Sequence, residues 1–349
     1  METLFLNYGL VLLWAFIINI WSTADSHSFR RKIFCLIVGL QIIFFHTFIN
    51  WRGIPDLSIY QAFFSAIANH QSYLIDDAVL RHFEPGYILF NRIVAAFTSD
   101  FTIFLLVESI IICGSYMWII YKYSYIPWLS VIIFLATIFT QSLGVLRQHI
   151  AIAIILFSVP FIINRKIWGF LLIEALAYSF HSSALIFLPA YWLYNIKLSR
   201  GFWFQFACVM AIAVPVFHVL VAYLSSKLGL YEGYLENISE GTNFTPGLIS
   251  ASTLIVCAIA LNPSKLDGCL KFQFIMVCIA TIINFAGIGL PLIPRLSHYY
   301  TIWGILLLAN AVNSLKYFPS IIKFCILVCY TLLAYSQYSS PLVKYTLSF

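Results

Sequence analysis

Between Trp128 and Ile163 the chain is almost pure hydrocarbon, interrupted once by Arg147-Gln148-His149. This triplet between two membrane-length apolar runs constrains the fold more than any other stretch. Charge inside lipid is costly, so the triplet must lie at a membrane surface or line a wet cavity. Apolar runs of the same kind recur along the whole sequence. Of 349 residues 62% are hydrophobic and only 9% charged, against about 25% charged in a typical soluble domain. A water-facing domain could not hide so much apolar surface. The expected fold is all-α: a polytopic membrane protein forming one transmembrane domain over 1–349. A β-barrel would show alternating segments of about 10 residues instead.

Hydropathy marks twelve candidate spans, at about 3–21, 33–49, 101–121, 128–146, 149–163, 167–180, 183–196, 202–224, 247–261, 272–290, 296–312 and 321–338. Residues 1–21 read as a first span and not a cleavable leader, because they lack a basic start and a small-residue cleavage site. Lys and Arg follow every second span: Arg30, Arg31 and Lys32, then Lys122, Arg165 and Lys166, Lys197 and Arg200, Lys265 and Lys271, Lys316 and Lys323. Cytoplasmic loops are enriched in these residues, which puts both termini outside. The net charge of +6 therefore speaks to topology and not to nucleic acid. External loops fall at about 50–100 and 225–246. Within the first, 87–98 is too short to cross a core of about 30 Å and reads as a re-entrant or interfacial helix. The second carries Glu232, Glu236 and Glu240 with Tyr231, Tyr234 and Phe244, and could cover a site as a lid. The fifth to seventh spans reach only some 21 Å at helical rise, which suits helices that border a cavity.

The candidate site residues gather at the external ends. Arg52, Arg147 and Arg295 run against the positive-inside bias and so ask for a reason. A guanidinium recognises phosphate or pyrophosphate bidentately and is always charged. Headgroup anchoring is the plain alternative for Arg52 and Arg295. Glu84-Pro85-Gly86-Tyr87 sets an acid just before a helix, where the dipole favours it as a cap. As a general base it would need a raised pKa from partial burial. Asp56 follows Gly53 and Pro55 and fits a turn equally well. His181, before Ser182 and Ser183, is a base, a phosphate contact or a hydrogen-bonded structural residue. Glu108 and Glu174 lie inside spans and read as paired or protonated acids, with a proton path as the alternative. Glu174 is two turns before His181, roughly 10 Å along the axis, and cannot bond it directly.

Paired aspartates suited to Mg²⁺, His/Cys metal spacings, G-x-S-x-G and Walker glycines do not occur. No metal or cofactor is expected. The eight cysteines lack a C-x-x-C and read as small core hydrophobes. Asn237-Ile-Ser239 and Asn243-Phe-Thr245 match a glycosylation triplet that matters only in a eukaryotic lumen.

Taken in order, five short motifs resemble the EpsG family of Wzy-like polysaccharide polymerases. Arg52-Gly-x-x-Asp56-x-x-x-Tyr60 is similar to that family's R-x-G-x-D-Y-x-x-Y region, with Leu57 where the family has a tyrosine. Glu84-Pro-Gly-Tyr87 resembles its E-x-G-Y element, Leu146-Arg147-Gln148-x-Ile-Ala151 its R-Q-x-I-A helix start, Phe180-His181-Ser-Ser-Ala184 its F-H-x-S-A, and Arg295-x-x-x-Tyr299 its late R-x-x-x-Y. The resemblance implies a bacterial inner-membrane glycosyltransferase, metal-independent and C-type, with a periplasmic active site. Donor and acceptor would both be oligosaccharides on undecaprenyl pyrophosphate, and a chain-length regulator would be a protein partner. Arg147 and Arg295, with Arg52, would neutralise the departing pyrophosphate. Glu84 or His181 would take the acceptor's proton. Asp56, Tyr60, Gln148 and Tyr299 would position sugars. A lipid-linked oligosaccharide flippase and a membrane acyltransferase are the rival readings.

Overall fold

The computed structural model describes residues 2–20, 29–69, 83–199, 201–228, 244–266, 268–288 and 293–338. Among them every regular element is helical. The acidic core of the second external loop, the first glycosylation triplet and Asn243 of the second lie outside the described residues. The chain divides into two compact units, one of 1–185 with 318–349 and one of 186–317.

The first unit contains α1 (Glu2–Ile17), α2 (Phe29–Thr47), α3 (Pro55–Ala68), α4 (Pro85–Ala95), α5 (Phe101–Tyr123), α6 (Pro127–Thr137), α7 (Phe139–Gly144), α8 (Leu146–Leu156), α9 (Val159–Ile163) and α10 (Ile167–Phe180). A 3-10 turn at Ser182–Phe187 follows; Pro319–Tyr338 near the C-terminus returns to this unit and packs on α6. Helix α2 packs along α5, which in turn packs on α8, and α8 on α10. The unit is apolar outward and polar inward. Trp168, Leu172 and Leu176, one turn apart each on α10, are exposed, as are Leu36, Leu40 and Phe44 on α2. Arg31, His46, Glu108, Gln148, His149 and Glu174 are buried. Contiguous exposed apolar faces of this size mark a surface meant for something other than water. In lipid, by contrast, polar side chains must find their partners inside the protein.

Only Phe101–Tyr123, Gly268–Ala286 and Pro319–Ser336 are both long and apolar enough to cross a membrane by themselves among the described residues. The expected spans at 128–146, 149–163 and 183–196 are each broken. The first splits into α6 and α7 at Ile138. There the Thr137 hydroxyl donates to the Ile133 carbonyl at 2.7 Å, a back-bond that bends helices. The second splits into α8 and α9 ahead of Pro160, which has no N–H to offer the ladder. The third is a 3-10 turn and a single helical turn around Pro189. Broken helices at membrane depth are tolerated only where buried in protein or lining a cavity. Helix α4 has 11 residues, about 16 Å by helical rise, and packs on α3 and α10. It is too short to cross the bilayer, as its sequence implied.

The second unit holds α11 (Ala190–Leu193), α12 (Phe202–Leu228), α13 (Thr245–Ala260), α14 (Gly268–Ala286) and α15 (Ile293–Asn313). Here α14 packs along α15, and α13 along both. Trp303 sits edge-on to Phe272 between α15 and α14. Asn310 donates to Gln273 at 3.1 Å, closing a buried amide pair between the same helices.

Candidate active site

At one end of the first unit a single carboxylate gathers a guanidinium and an imidazole. Glu84 occupies the N-cap position of α4, but its side chain accepts no cap hydrogen bond. It turns outward from its own helix. Arg147 Nη1 donates to Glu84 Oε2 at 2.6 Å. On the other oxygen, Oε1, His181 Nδ1 lies at 2.9 Å and the Ser182 N–H donates at 3.1 Å. Three segments distant in sequence thus meet at one carboxyl group: the start of α4, the start of α8 and the end of α10. All three side chains stay partly open to solvent, at 16% for Glu84, 21% for Arg147 and 23% for His181.

Local sequence explains why these segments meet. Gly86 lies in the first turn of α4, hard against α10. A Cβ there would stand 2.3 Å from Ser179 Oγ and 2.7 Å from the Ser179 carbonyl oxygen. Only glycine allows the two backbones so close, and that approach delivers Glu84 to His181. Helix α10 ends at Phe180, and His181 follows in extended conformation, which frees the Ser182 N–H from the helical ladder. On the α8 side, the chain leaves Gly144 through Val145 at φ −122 and ψ 56. That break starts a new helix whose second residue is Arg147.

Arg147 is held from further sides. Its guanidinium carbon lies 4.7 Å from the centre of the Phe83 ring, a cation–π contact, and its side chain is hydrogen-bonded to the Tyr60 hydroxyl. Tyr60 and Phe83 belong to an aromatic cluster with Phe63 and Tyr87. The Tyr87 hydroxyl donates to buried Glu108 Oε1 at 3.2 Å. Asp56, in the first turn of α3, places Oδ2 3.8 Å from where a Cβ of Gly144 would be. Asp56 and Tyr60 are therefore both near the start of α8.

The electrostatics favour the charged forms of Glu84 and Arg147. Partial burial works to raise the Glu84 carboxyl. The hydrogen bond from His181, the charge of Arg147 and the Ser182 N–H outweigh it and hold the group down at about 2. Burial pulls the Arg147 guanidinium down, but Tyr60 and Glu84 outweigh it, so the net shift is upward. At neutral pH Glu84 is an acceptor only. His181 then donates from Nδ1, and in the neutral tautomer with that proton Nε2 carries the lone pair. The raised pKa that a general base at Glu84 would require is not what this geometry produces. The reason is that two donors and a cation converge on it.

Other expected site residues fall elsewhere. Gln148 and Tyr299 are almost wholly buried. Tyr60 is buried too and acts on Arg147. Arg52 is exposed in a 3-10 turn, Trp51–Gly53, one turn ahead of Asp56. Arg295 is exposed in the first turn of α15, in the second unit. His149 shares a 2.8 Å hydrogen bond with the Tyr116 hydroxyl inside the core. Glu108 is paired through Tyr87, whereas neither oxygen of Glu174 has a hydrogen-bond partner among the described residues. Sequence reasoning did not single out Phe83, the Ser182 N–H or the Gly86–Ser179 contact. It also missed His46, which is buried and bridges Ser109 Oγ at 2.7 Å and Ser142 Oγ at 3.2 Å. Ser142 donates to the Phe139 carbonyl, so His46 donates from Nε2 and accepts from Ser109. This network pins α7 to α2 and α5 one turn before Arg147. Glycine in the opening turn of a helix was the one visible sign of a close approach. Among the described residues no three His, Cys, Asp or Glu side chains gather as metal ligands would.

Fold and site together define a membrane-embedded helical protein with a guanidinium–carboxylate–imidazole cluster. A family model for the EpsG family matches residues 32–347, nearly the whole chain. The chain belongs to the EpsG family, a Wzy-like polymerase family. Comparison with curated proteins and with solved structures returned no match.

Proposed function

We propose that this protein polymerises a polysaccharide by joining oligosaccharide repeat units carried on undecaprenyl pyrophosphate. The bacterial inner membrane is its place and the periplasmic face its working side. The observation that carries this reading is the Glu84 carboxylate shared between Arg147 and His181. It couples an anion-binding group to a proton acceptor, which are the two functions the reaction needs.

In the proposed step an acceptor sugar hydroxyl attacks the anomeric carbon of the donor. The new glycosidic bond forms as the bond from C1 to the pyrophosphate oxygen breaks, and the pyrophosphate leaves with the electron pair. Arg147 offers its fixed fork to that developing charge in place of a divalent cation. His181 receives the hydroxyl proton on Nε2. Glu84, holding Nδ1–H, sets the tautomer and steadies the imidazolium, as the carboxylate does in other acid–imidazole pairs. Phe83 and Tyr60 keep Arg147 from collapsing onto Glu84 alone. Asp56 is at hand for a sugar hydroxyl, and Arg52, one turn ahead of it, for the carrier's phosphates.

Purified protein supplied with a lipid-pyrophosphate oligosaccharide tests the reading. A ladder of longer glycans with release of the lipid pyrophosphate supports it. Transport of the intact substrate across a vesicle, or transfer of an acyl group, with no ladder, would replace it with a flippase or an acyltransferase.

A further inference from the structure

A groove of about 450 Å³ lies between α2 and α5. It is lined from Lys32 through Gly39 to Ile43 on α2, and from Gly114 to Tyr121 on α5. Eleven steps of helical rise separate Lys32 from Ile43, about 16 Å, which is about half of a ~30 Å hydrocarbon core. The groove is thus one leaflet deep.

Its floor is made by absence of side chains. Gly39 is buried against Met117, and a Cβ on Gly114 would meet nothing within 4 Å. Leu36 and Leu40 stand exposed along one wall. The two ends differ. Apart from Lys32 the lining is apolar, or aromatic in Trp118 and Tyr121. Lys32 is exposed at the end where Arg30 is also exposed, and Lys122 lies over the Trp118 ring at 4.9 Å. Basic residues with tryptophan and tyrosine are the signature of a bilayer interface. Arg31, between the two exposed cations, is buried and bonded to carbonyls at the end of α5, so the mouth of the groove is fixed in place.

We propose that this groove binds one chain of an anionic phospholipid, its phosphate held at Lys32 with Lys122 nearby. The apolar length selects a chain of one leaflet and the cationic mouth selects negative charge. A carrier isoprenoid is the competing occupant. Polymerisation plays no part in this inference, which needs only that the protein sits in a bilayer.

The test is retention of lipid by the full-length protein. It is reconstituted in nanodiscs of equal phosphatidylglycerol and phosphatidylcholine, extracted in mild detergent and weighed by native mass spectrometry. Wild type should keep phosphatidylglycerol in preference to phosphatidylcholine. Gly114→Leu projects into open space, so it should fold normally and lose the retained lipid. Lys32→Gln should keep the chain site but bind phosphatidylglycerol about fivefold less, the worth of one lysine at an anionic surface. If Gly114→Leu fails to fold, the exposed Lys32→Gln variant decides alone. Equal retention of both lipids by wild type, or an unchanged preference in Lys32→Gln, overturns the proposal. Displacement of phosphatidylglycerol by added polyprenyl phosphate reassigns the groove and overturns it too. Glycan laddering is read separately, so a failed polymerase reading would leave this result intact.

Discussion

Arg31 and Arg147 are both arginines of the first unit at the end of a helix, yet they serve opposite purposes. Arg31 is 1% exposed and gives its donors to the Ile120, Tyr121 and Ser124 carbonyls. A cation there answers the negative end of α5 and satisfies carbonyls left over by the helix. Its Nε and Nη2 donors are given to backbone carbonyls. Arg147 has a carboxylate, a hydroxyl and an aromatic face for neighbours, and is 21% exposed. Its partners are side chains that a ligand can join or displace. The comparison teaches that an arginine in an apolar chain is read by what occupies its donors. A fork filled by carbonyls is scaffold, and one shared with a carboxylate in the open is available for chemistry.

Breaking the comparison at its active end should give the largest effect. Arg147→Ala is expected to cut the rate of glycan extension by about 10²–10³, the scale of losing one preorganised donor to a developing oxyanion. Detergent-solubilised protein should stay folded but melt lower, because Glu84 loses one of the partners that hold its carboxyl down. Arg147→Lys should recover little, because an ammonium keeps the charge but not the fork. Wild-type chain length in either variant would end the role assigned to Arg147.

At the scaffold end the signs reverse. Arg31→Met strands carbonyls at the end of α5 and should cost roughly 3 kcal/mol of stability, given about 1.5–3 for each hydrogen bond to a charged group. Extension per folded molecule should be unchanged. A loss of rate without a fall in melting temperature would show that the two arginines are not distinct in kind.

Next in size is Gly86→Ala. The added Cβ meets both the hydroxyl and the carbonyl of Ser179, so α4 must retreat from α10 at a cost of about 1–3 kcal/mol. Extension should fall as Glu84 parts from His181. Ser179→Ala in the same chain should not rescue it, because the backbone oxygen at 2.7 Å remains. Rescue would mean that the approach of the backbones is unimportant.

A smaller effect is expected from acid. The Glu84 carboxyl sits at about 2 in the folded chain against an ordinary 4.5. The unfolded chain therefore takes up the proton first. The stability this group contributes is complete above about 4.5 and is lost as pH falls towards about 2. In Glu84→Gln that component disappears, so its melting temperature should fall less steeply than wild type from about pH 5 to about pH 3. Parallel slopes would contradict the bridging geometry. Smallest of all, Tyr60→Phe removes one hydrogen bond to Arg147 and should slow extension only a few-fold, in line with about 1 kcal/mol for such a bond. A loss as large as that of Arg147→Ala would make Tyr60 more than a support.

The sequence by itself determined the helical, membrane-embedded class and the order of its apolar segments, because hydrocarbon runs with so few charges have no other stable arrangement. It also marked Glu84, Arg147 and His181, since a charged or titratable side chain beside lipid is expensive enough to stand out. Only the tertiary structure decided their partnership. Glu84 and Arg147 are 63 residues apart, Glu84 and His181 97, and periodicity carries no information over such distances. Burial also had to be seen. Gln148 is adjacent to Arg147 but points the other way around its helix, about 100° on, and is lost to the core. Breaks in α6–α7 and α8–α9 were hidden because mean hydropathy does not register a back-bonding threonine or a proline inside an apolar run. The role of Glu84 turned on its surroundings as well: burial alone would have raised its pKa, and the donors brought by two other helices reversed the sign.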